Sequence, residues 1–154
     1  MKVITKNILS NDLMKESDAI CFTSNGVIKN NGRLVMGAGV AKLFRDAFRN
    51  IDKEAGLLCK KNGNICQIVK SIKFLGTSLH IIAFPTKQHW RDKSTVYLIN
   101  QSALRLVDLA NKHGWKQVVL PAPGVGLGGL DFNKEVKPLL EMVFDDRFVI
   151  TFRP

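Results

Sequence analysis

Val118-Val119-Leu120-Pro121-Ala122-Pro123-Gly124-Val125-Gly126-Leu127-Gly128-Gly129-Leu130 decides how this chain is read. Its first three residues form a short apolar run that Pro121 stops, as expected of a strand buried on both faces. The glycines that follow permit positive φ and close backbone approach, so successive N–H groups are free to converge on an anion. Behind them Val136, Leu139, Leu140, Val143 and Phe144 fall at helical spacing, with Asn133 placed as the cap. A strand, a glycine-rich loop and a helix in that order form an anion cradle or, on the plainer reading, a tight strand-to-helix turn.

A second loop of the same kind, Val35-Met36-Gly37-Ala38-Gly39-Val40, opens the helix whose apolar stripe is Val40, Leu43, Phe44, Ala47 and Phe48. Two such loops on one domain suit a ligand containing a diphosphate. Gly124, Gly126 and Gly129 also satisfy G-x-G-x-x-G, but only one helical stretch and one strand follow them. A nicotinamide dehydrogenase is therefore not expected, because its fingerprint opens a βαβ unit with an acidic residue about 20 positions on. The chain has no G-K-[ST], which excludes a P-loop ATPase as a motif match.

Outward from the loops, strands are expected at Lys2–Thr5, 19–23, 65–69, 79–84, 118–120 and Phe148–Phe152. A long helix with Val96, Ile99, Ala103, Leu106 and Ala110 on one face is expected to take Ser94 as its N-cap and Gly114 as its stop. A fourth helix over 52–61 is interrupted by Gly56. Alternating strands and helices imply an α/β domain of three layers, α/β/α, with a largely parallel sheet. No linker or repeat divides residues 1–154, so a single domain is expected.

Composition narrows the classes. Apolar residues make up 45% of the 154, enough for a packed core. No apolar run approaches the roughly 20 residues that span a bilayer, and the N-terminus has no signal-peptide pattern. A cytoplasmic location with no membrane partner is expected. Cys21, Cys59 and Cys66 show no C-x-x-C spacing, and His80, His89 and His113 match no ligand set, so no metal or other cofactor is expected. The formal charge of +10 favours anionic partners and keeps nucleic acid open as one of them.

Five segments, taken in order, resemble the macrodomain family: Asn11-Asp12-Leu13 with Asp18-Ala19-Ile20; Thr23-Ser24-Asn25-Gly26 through the loop at Gly37-Ala38-Gly39; Phe84-Pro85-Thr86-Lys87-Gln88-His89-Trp90-Arg91; Leu120-Pro121-Ala122-Pro123 with its glycine loop; and Asp145-Asp146-Arg147-Phe148-Val149. The third and fourth are similar to those of bacterial and phage macrodomains close to the DarG antitoxin class. The resemblance implies a mixed, mostly parallel six-stranded sheet and a crevice holding ADP-ribose or an ADP-ribosylated substrate on a monomer.

By the same resemblance Asp12 and the Leu13 N–H meet the adenine, Phe152 stacks near it, and Asn25 reaches the distal ribose. Met36, Gly37, Ala38, Gly39 and Val40, with Pro123, Gly124, Val125, Gly126, Leu127, Gly128 and Gly129, cradle the pyrophosphate and distal ribose. Plainer readings stand beside these: a turn aspartate at Asp12, a core Phe152 and an N-G turn at Asn25. Lys87 is the catalytic candidate, either as an amine that attacks the opened sugar or as an ammonium that stabilises a leaving group. His89 is a general acid or base or orients its loop, and Trp90 is read as a packing anchor.

The implied activity is hydrolysis, releasing ADP-ribose from DNA or protein or dephosphorylating ADP-ribose 1''-phosphate. The alternative is a non-catalytic reader of the nucleotide. Here Val125 and Leu127 stand where relatives commonly carry Cys and Asn. Gly128 stands where some carry an acid, and Ala38 where a basic residue is common.

Overall fold

The computed structural model describes residues 1–154. Six strands, β1 (Lys2–Thr5), β2 (Ala19–Ser24), β3 (Gln67–Phe74), β4 (Thr77–Pro85), β5 (Val118–Pro121) and β6 (Phe148–Phe152), form one sheet in the order β1-β6-β5-β2-β4-β3. All neighbours are parallel except the β3–β4 hairpin. The sheet is therefore mixed and mostly parallel.

Alternation along the strands sorts the core into two halves. Ala19 and Cys21 of β2, Ile82 and Phe84 of β4, and Leu120 and Ile150 face one way, toward α4 (Val96–His113) and α5 (Lys137–Val143). Ile20, Phe22, Ile81, Ala83 and Val119 face the other way, toward α1 (Asn11–Glu16), α2 (Gly39–Ala47) and α3 (Ile51–Asn62). The period of two in the strands thus produces the three layers. Cys21 and Cys66 lie in this core, and burial pushes the Cys66 thiol up to about 12 and the Cys21 thiol well up as well.

Several local expectations change. β3 runs to Phe74 rather than ending near Val69, because it is an edge strand whose outer positions, Lys70, Ser71 and Lys73, break the apolar run. Ser94 does not cap α4; Thr95 does, its hydroxyl accepting from the Leu98 N–H at 3.2 Å. At the other end Gly114 takes the left-handed conformation and stops the helix as expected. Ahead of α5 a π-type turn (Phe132–Val136) is capped by Asp131 rather than Asn133, the Asp131 carboxylate accepting from the Lys134 N–H at 2.9 Å.

Gly56 does not break α3. A Cβ there would lie 2.0 Å from the Gly32 carbonyl oxygen, so the glycine lets the 32–34 loop lie directly on the helix. The Leu34 N–H donates to the Asp52 carbonyl at 2.9 Å, and the Arg33 guanidinium meets the Asp52 carboxylate at 2.8 Å. The chain leading into the first glycine loop is pinned by these contacts.

Candidate functional site

The parallel strands end together at one edge of the sheet, where β2, β4 and β5 give way to loops. A cleft of about 770 Å³ opens there, floored by Thr23, Ser24, Asn25, Pro121 and Ala122. Its walls are the two glycine loops, residues 35–41 on one side and 124–128 on the other, and the segment carrying Thr86, Lys87, Trp90 and Ser94 closes it. The volume is within the range that small-molecule and cofactor sites occupy.

The first loop enters α2 through Gly39 at φ 59°, and the preceding Ala38 is extended with no side-chain cap. The first-turn N–H groups of α2 have no intrahelical partner, and residues 38–41 line the cleft, so the partial positive charge of the helix end lies at its wall. In the second loop Gly124, Gly126 and Gly129 all adopt positive φ, and a single 3₁₀ turn, Gly126–Gly128, forms between them. At Gly124 a Cβ would also crowd the ends of the Ile99 and Leu130 side chains, at 2.7 and 2.9 Å, which would have to shift.

Leu127 is 74% exposed and lines the cleft, its Cδ1 only 3.8 Å from where a Cβ of Gly39 would stand. The second loop thus reaches across to the first through an apolar side chain. Gly128 is a close approach of another kind: a Cβ there would fall 2.3 Å from the Ser94 Oγ. The Ser94 N–H donates to the Gly128 carbonyl at 2.9 Å, and its hydroxyl donates to Thr86 Oγ1 at 3.2 Å. Ser94, read from sequence only as a helix cap, instead joins the second loop to the Lys87 segment.

Asn25 is buried and lines the floor. Its Oδ1 accepts from the Val27 N–H at 3.0 Å, and its Nδ2 donates to the Val35 carbonyl at 3.0 Å. The side chain both forms the local turn and ties it to the first glycine loop. One N–H of its amide is left over to meet a ligand.

Lys87 is the sole ionisable side chain among the lining residues. Its Nζ donates to the carbonyls of Trp90 at 3.4 Å and Asp92 at 3.3 Å. Both bonds exceed the usual length of about 2.9 Å, so the group is tethered rather than locked. The loop beneath it is braced by Asn64, whose Nδ2 donates to the Lys87 carbonyl at 3.1 Å and to the Gln88 side chain at 3.0 Å. Nothing in the sequence pattern singles out Asn64. His89 lies outside the cleft lining and accepts from the Arg91 N–H at 3.1 Å, as a loop-orienting residue does. Trp90 is not a packing anchor: it is 45% exposed at the cleft wall.

The remaining predicted residues lie off this cleft. Pro123 is buried beneath the second loop, and Gly129 sits outside it against Lys93. Asp12 is on the surface in α1, a short helix where a turn was expected, and is paired with Lys6, whose ammonium holds its carboxyl below the usual range. Leu13 has its side chain in the core. Phe152 packs edge-to-face on Phe132 at 4.9 Å. Asp12, Leu13 and Phe152 belong to the β1–β6 end of the same sheet edge, where the Lys6 N–H donates to the Phe152 carbonyl at 2.9 Å.

The family model described as Macro domain matches residues 29–138. A Mycobacterium tuberculosis protein named DNA ADP-ribosyl glycohydrolase is 32% identical over 128 residues, covering 80% of this chain and 34% of that protein. The chain thus spans about a third of the length of the curated relatives it matches. The solved macrodomain of Thermus aquaticus DarG superposes with a TM-score of 0.73 at 26% identity, covering 99% of this chain and 97% of that one. The structure described as Thermosipho africanus DarTG in complex with ADP-ribose gives 0.71 at 26% identity, covering 90% and 38%.

Proposed function

Because this chain belongs to the Macro domain family, we propose that it seats ADP-ribose between its two glycine loops and hydrolyses the bond from the distal ribose to a DNA base. The observation that carries the reading is Lys87, the one ionisable side chain of the cleft, set opposite two loops of backbone N–H groups. The pyrophosphate takes the N–H groups of residues 37–40 and 125–128, where helix-end charge and positive-φ glycines favour an anion. The distal ribose lies over Asn25 and beneath Leu127, and the adenine extends toward Asp12, the Leu13 N–H and Phe152. The names of the relatives support DNA as the carrier of the modification, and the net charge of +10 suits it.

Two routes use Lys87. In the nucleophilic route its neutral amine forms a C–N bond to C1'' of the ring-opened sugar. The bond from C1'' to the base then breaks, with the base nitrogen leaving protonated. Water hydrolyses the C1''=N bond, returning the amine and ADP-ribose. In the electrostatic route the ammonium stabilises charge on the departing base while water adds at C1''.

The test is hydrolysis of ADP-ribosylated single-stranded DNA by the wild type, Lys87→Ala and Lys87→Arg, followed by mass spectrometry, with ADP-ribose affinity measured by calorimetry. Lys87→Ala is expected to lower kcat by roughly 10²-fold or more with affinity nearly unchanged. Activity retained in Lys87→Arg selects the electrostatic route; a borohydride-trapped adduct on the wild type selects the nucleophilic one. Undiminished turnover in Lys87→Ala would refute the assignment of Lys87.

ADP-ribosylated protein and ADP-ribose 1''-phosphate are run beside the DNA, since the cleft holds the nucleotide irrespective of the leaving group. A reader without turnover is the second reading, favoured by the apolar Leu127 and the lack of a carboxylate among the lining residues. Binding with no release from any of the three substrates would establish it. We further propose that residues 1–154 act as one domain, as a monomer, in the cytoplasm, a placement supported by the sequence reading alone.

A further inference from the structure

Beside the cleft the chain carries a group of flat side chains that the chemistry above does not use. His89 and Trp90 have ring centroids 5.1 Å apart, and the Arg91 guanidinium lies 4.6 Å from the Trp90 ring centre. All three are exposed, and Trp90 at 45% is far more open than a tryptophan retained for packing. The one acid of the segment, Asp92, is exposed as well, and its carboxylate is engaged within the loop, accepting from the His89 N–H at 3.2 Å. The stem of exposed Lys93, two residues beyond Arg91, runs beside Gly129 of the second glycine loop.

Exposed aromatics interleaved with guanidinium and ammonium groups bind unpaired nucleobases: the rings stack on bases, and the cations meet the phosphates between them. A surface built for a folded protein partner would need a broader apolar area than this narrow array. From this we infer that His89, Trp90 and Arg91 form a subsite for the nucleotide flanking the modified base on a single strand. The inference rests on the function proposed above. Trp90 lines the cleft and also fronts the array, so it stands where the strand would leave the catalytic pocket. His89, Trp90 and Arg91 then act as positioning residues, holding the strand so that the modified base enters beside Lys87.

The experiment has two arms, both on the full chain. The first titrates the protein with an unmodified single-stranded oligonucleotide while following tryptophan fluorescence. The chain has two tryptophans, and Trp115 is 5% exposed, so contact quenching reports on Trp90. Quenching by single strand but not by duplex is expected; in the anisotropy of a dye-labelled single strand, which does not depend on the tryptophan, Trp90→Ala should weaken binding by about fivefold or more and Trp90→Phe should restore most of it. No quenching, equal quenching by duplex, or equal binding by Trp90→Ala overturns the inference.

The second arm compares hydrolysis of an ADP-ribosylated single strand with that of an ADP-ribosylated mononucleoside. Trp90→Ala and Arg91→Ala are expected to raise KM on the strand by a factor at least about five larger than on the mononucleoside, with kcat little changed. The same factor on both substrates overturns the subsite and places Trp90 inside the pocket instead. Failure of the wild type to hydrolyse either substrate defeats the proposed function, whereas the fluorescence arm still decides the array.

Discussion

Gly56→Ala separates helix propensity from tertiary contact by the sign of one measurement. In an unobstructed helix interior the change should stabilise by about 1 kcal/mol. Here the new Cβ would stand 2.0 Å from the Gly32 oxygen and 2.9 Å from the Leu34 nitrogen. A carbon and a carbonyl oxygen sit comfortably no closer than about 3.3 Å, so helix and loop must separate by roughly 1.3 Å. Overpacking of that kind costs roughly 1–3 kcal/mol. Weakening the Leu34–Asp52 backbone bond costs about 1 kcal/mol more.

Set against the propensity gain, the net is a destabilisation of roughly 1–3 kcal/mol, or about 3–9 °C in Tm for a domain of this size. Differential scanning calorimetry reads it directly, with exposed Lys60→Ala in the same helix as the control. Because Leu34 leads into Val35 and Met36 at the cleft, ADP-ribose affinity should fall along with Tm. A Tm equal to or above the wild type would refute the close approach and everything argued from it.

Replacing Gly128 with an acid, the residue some relatives carry, should weaken ADP-ribose binding rather than strengthen it. Its Cβ collides with Ser94, so pairing the change with Ser94→Gly should recover part of the loss in calorimetry. His80 is partly buried beside His113 and Trp115. Burial, and then the neighbouring His113, lower its pKa, so the folded state binds fewer protons than the unfolded one. Stability is then full above the unfolded value of about 6.5 and declines as pH falls through it toward the lower folded value. The Tm should drop in that window, and His80→Phe should flatten the slope; an unchanged slope would remove His80 as its source.

Elements with strong periodicity were readable from residues alone. The stripes from Val40 to Phe48 and from Val96 to Ala110 became α2 and α4, and the apolar runs at β2 and β5 became central strands with both faces covered. The glycine loops stand out by composition, whereas Lys87, one lysine among many, is singled out only by the resemblance of its segment, Phe84 to Arg91, to macrodomains. Sheet order could not be read, since nothing local tells β6 to enter between β1 and β5. Ser94 reads as a helix cap in sequence because its contact with Gly128, 34 positions away, is not a local signal. Gly56 read as a helix defect for the same reason, and Trp90 as an anchor because exposure is a property of the finished surface.

The segment from Thr86 to Thr95 is stitched to the floor of the cleft and to its second glycine loop. The Gly26 N–H donates to the Gln88 carbonyl at 2.7 Å, the Thr86 N–H to the Ser24 carbonyl at 3.0 Å, and the Ser94 N–H to the Gly128 carbonyl at 2.9 Å. Two of these bonds tie the segment to the chain leaving β2, and the third ties it to the second loop. The floor and the second loop are therefore expected to open together with this segment, since freeing one strains the bonds to the other. In amide hydrogen exchange Gly26, Thr86 and Ser94 should share one opening free energy, and a nucleotide in the cleft should slow all three by a common factor.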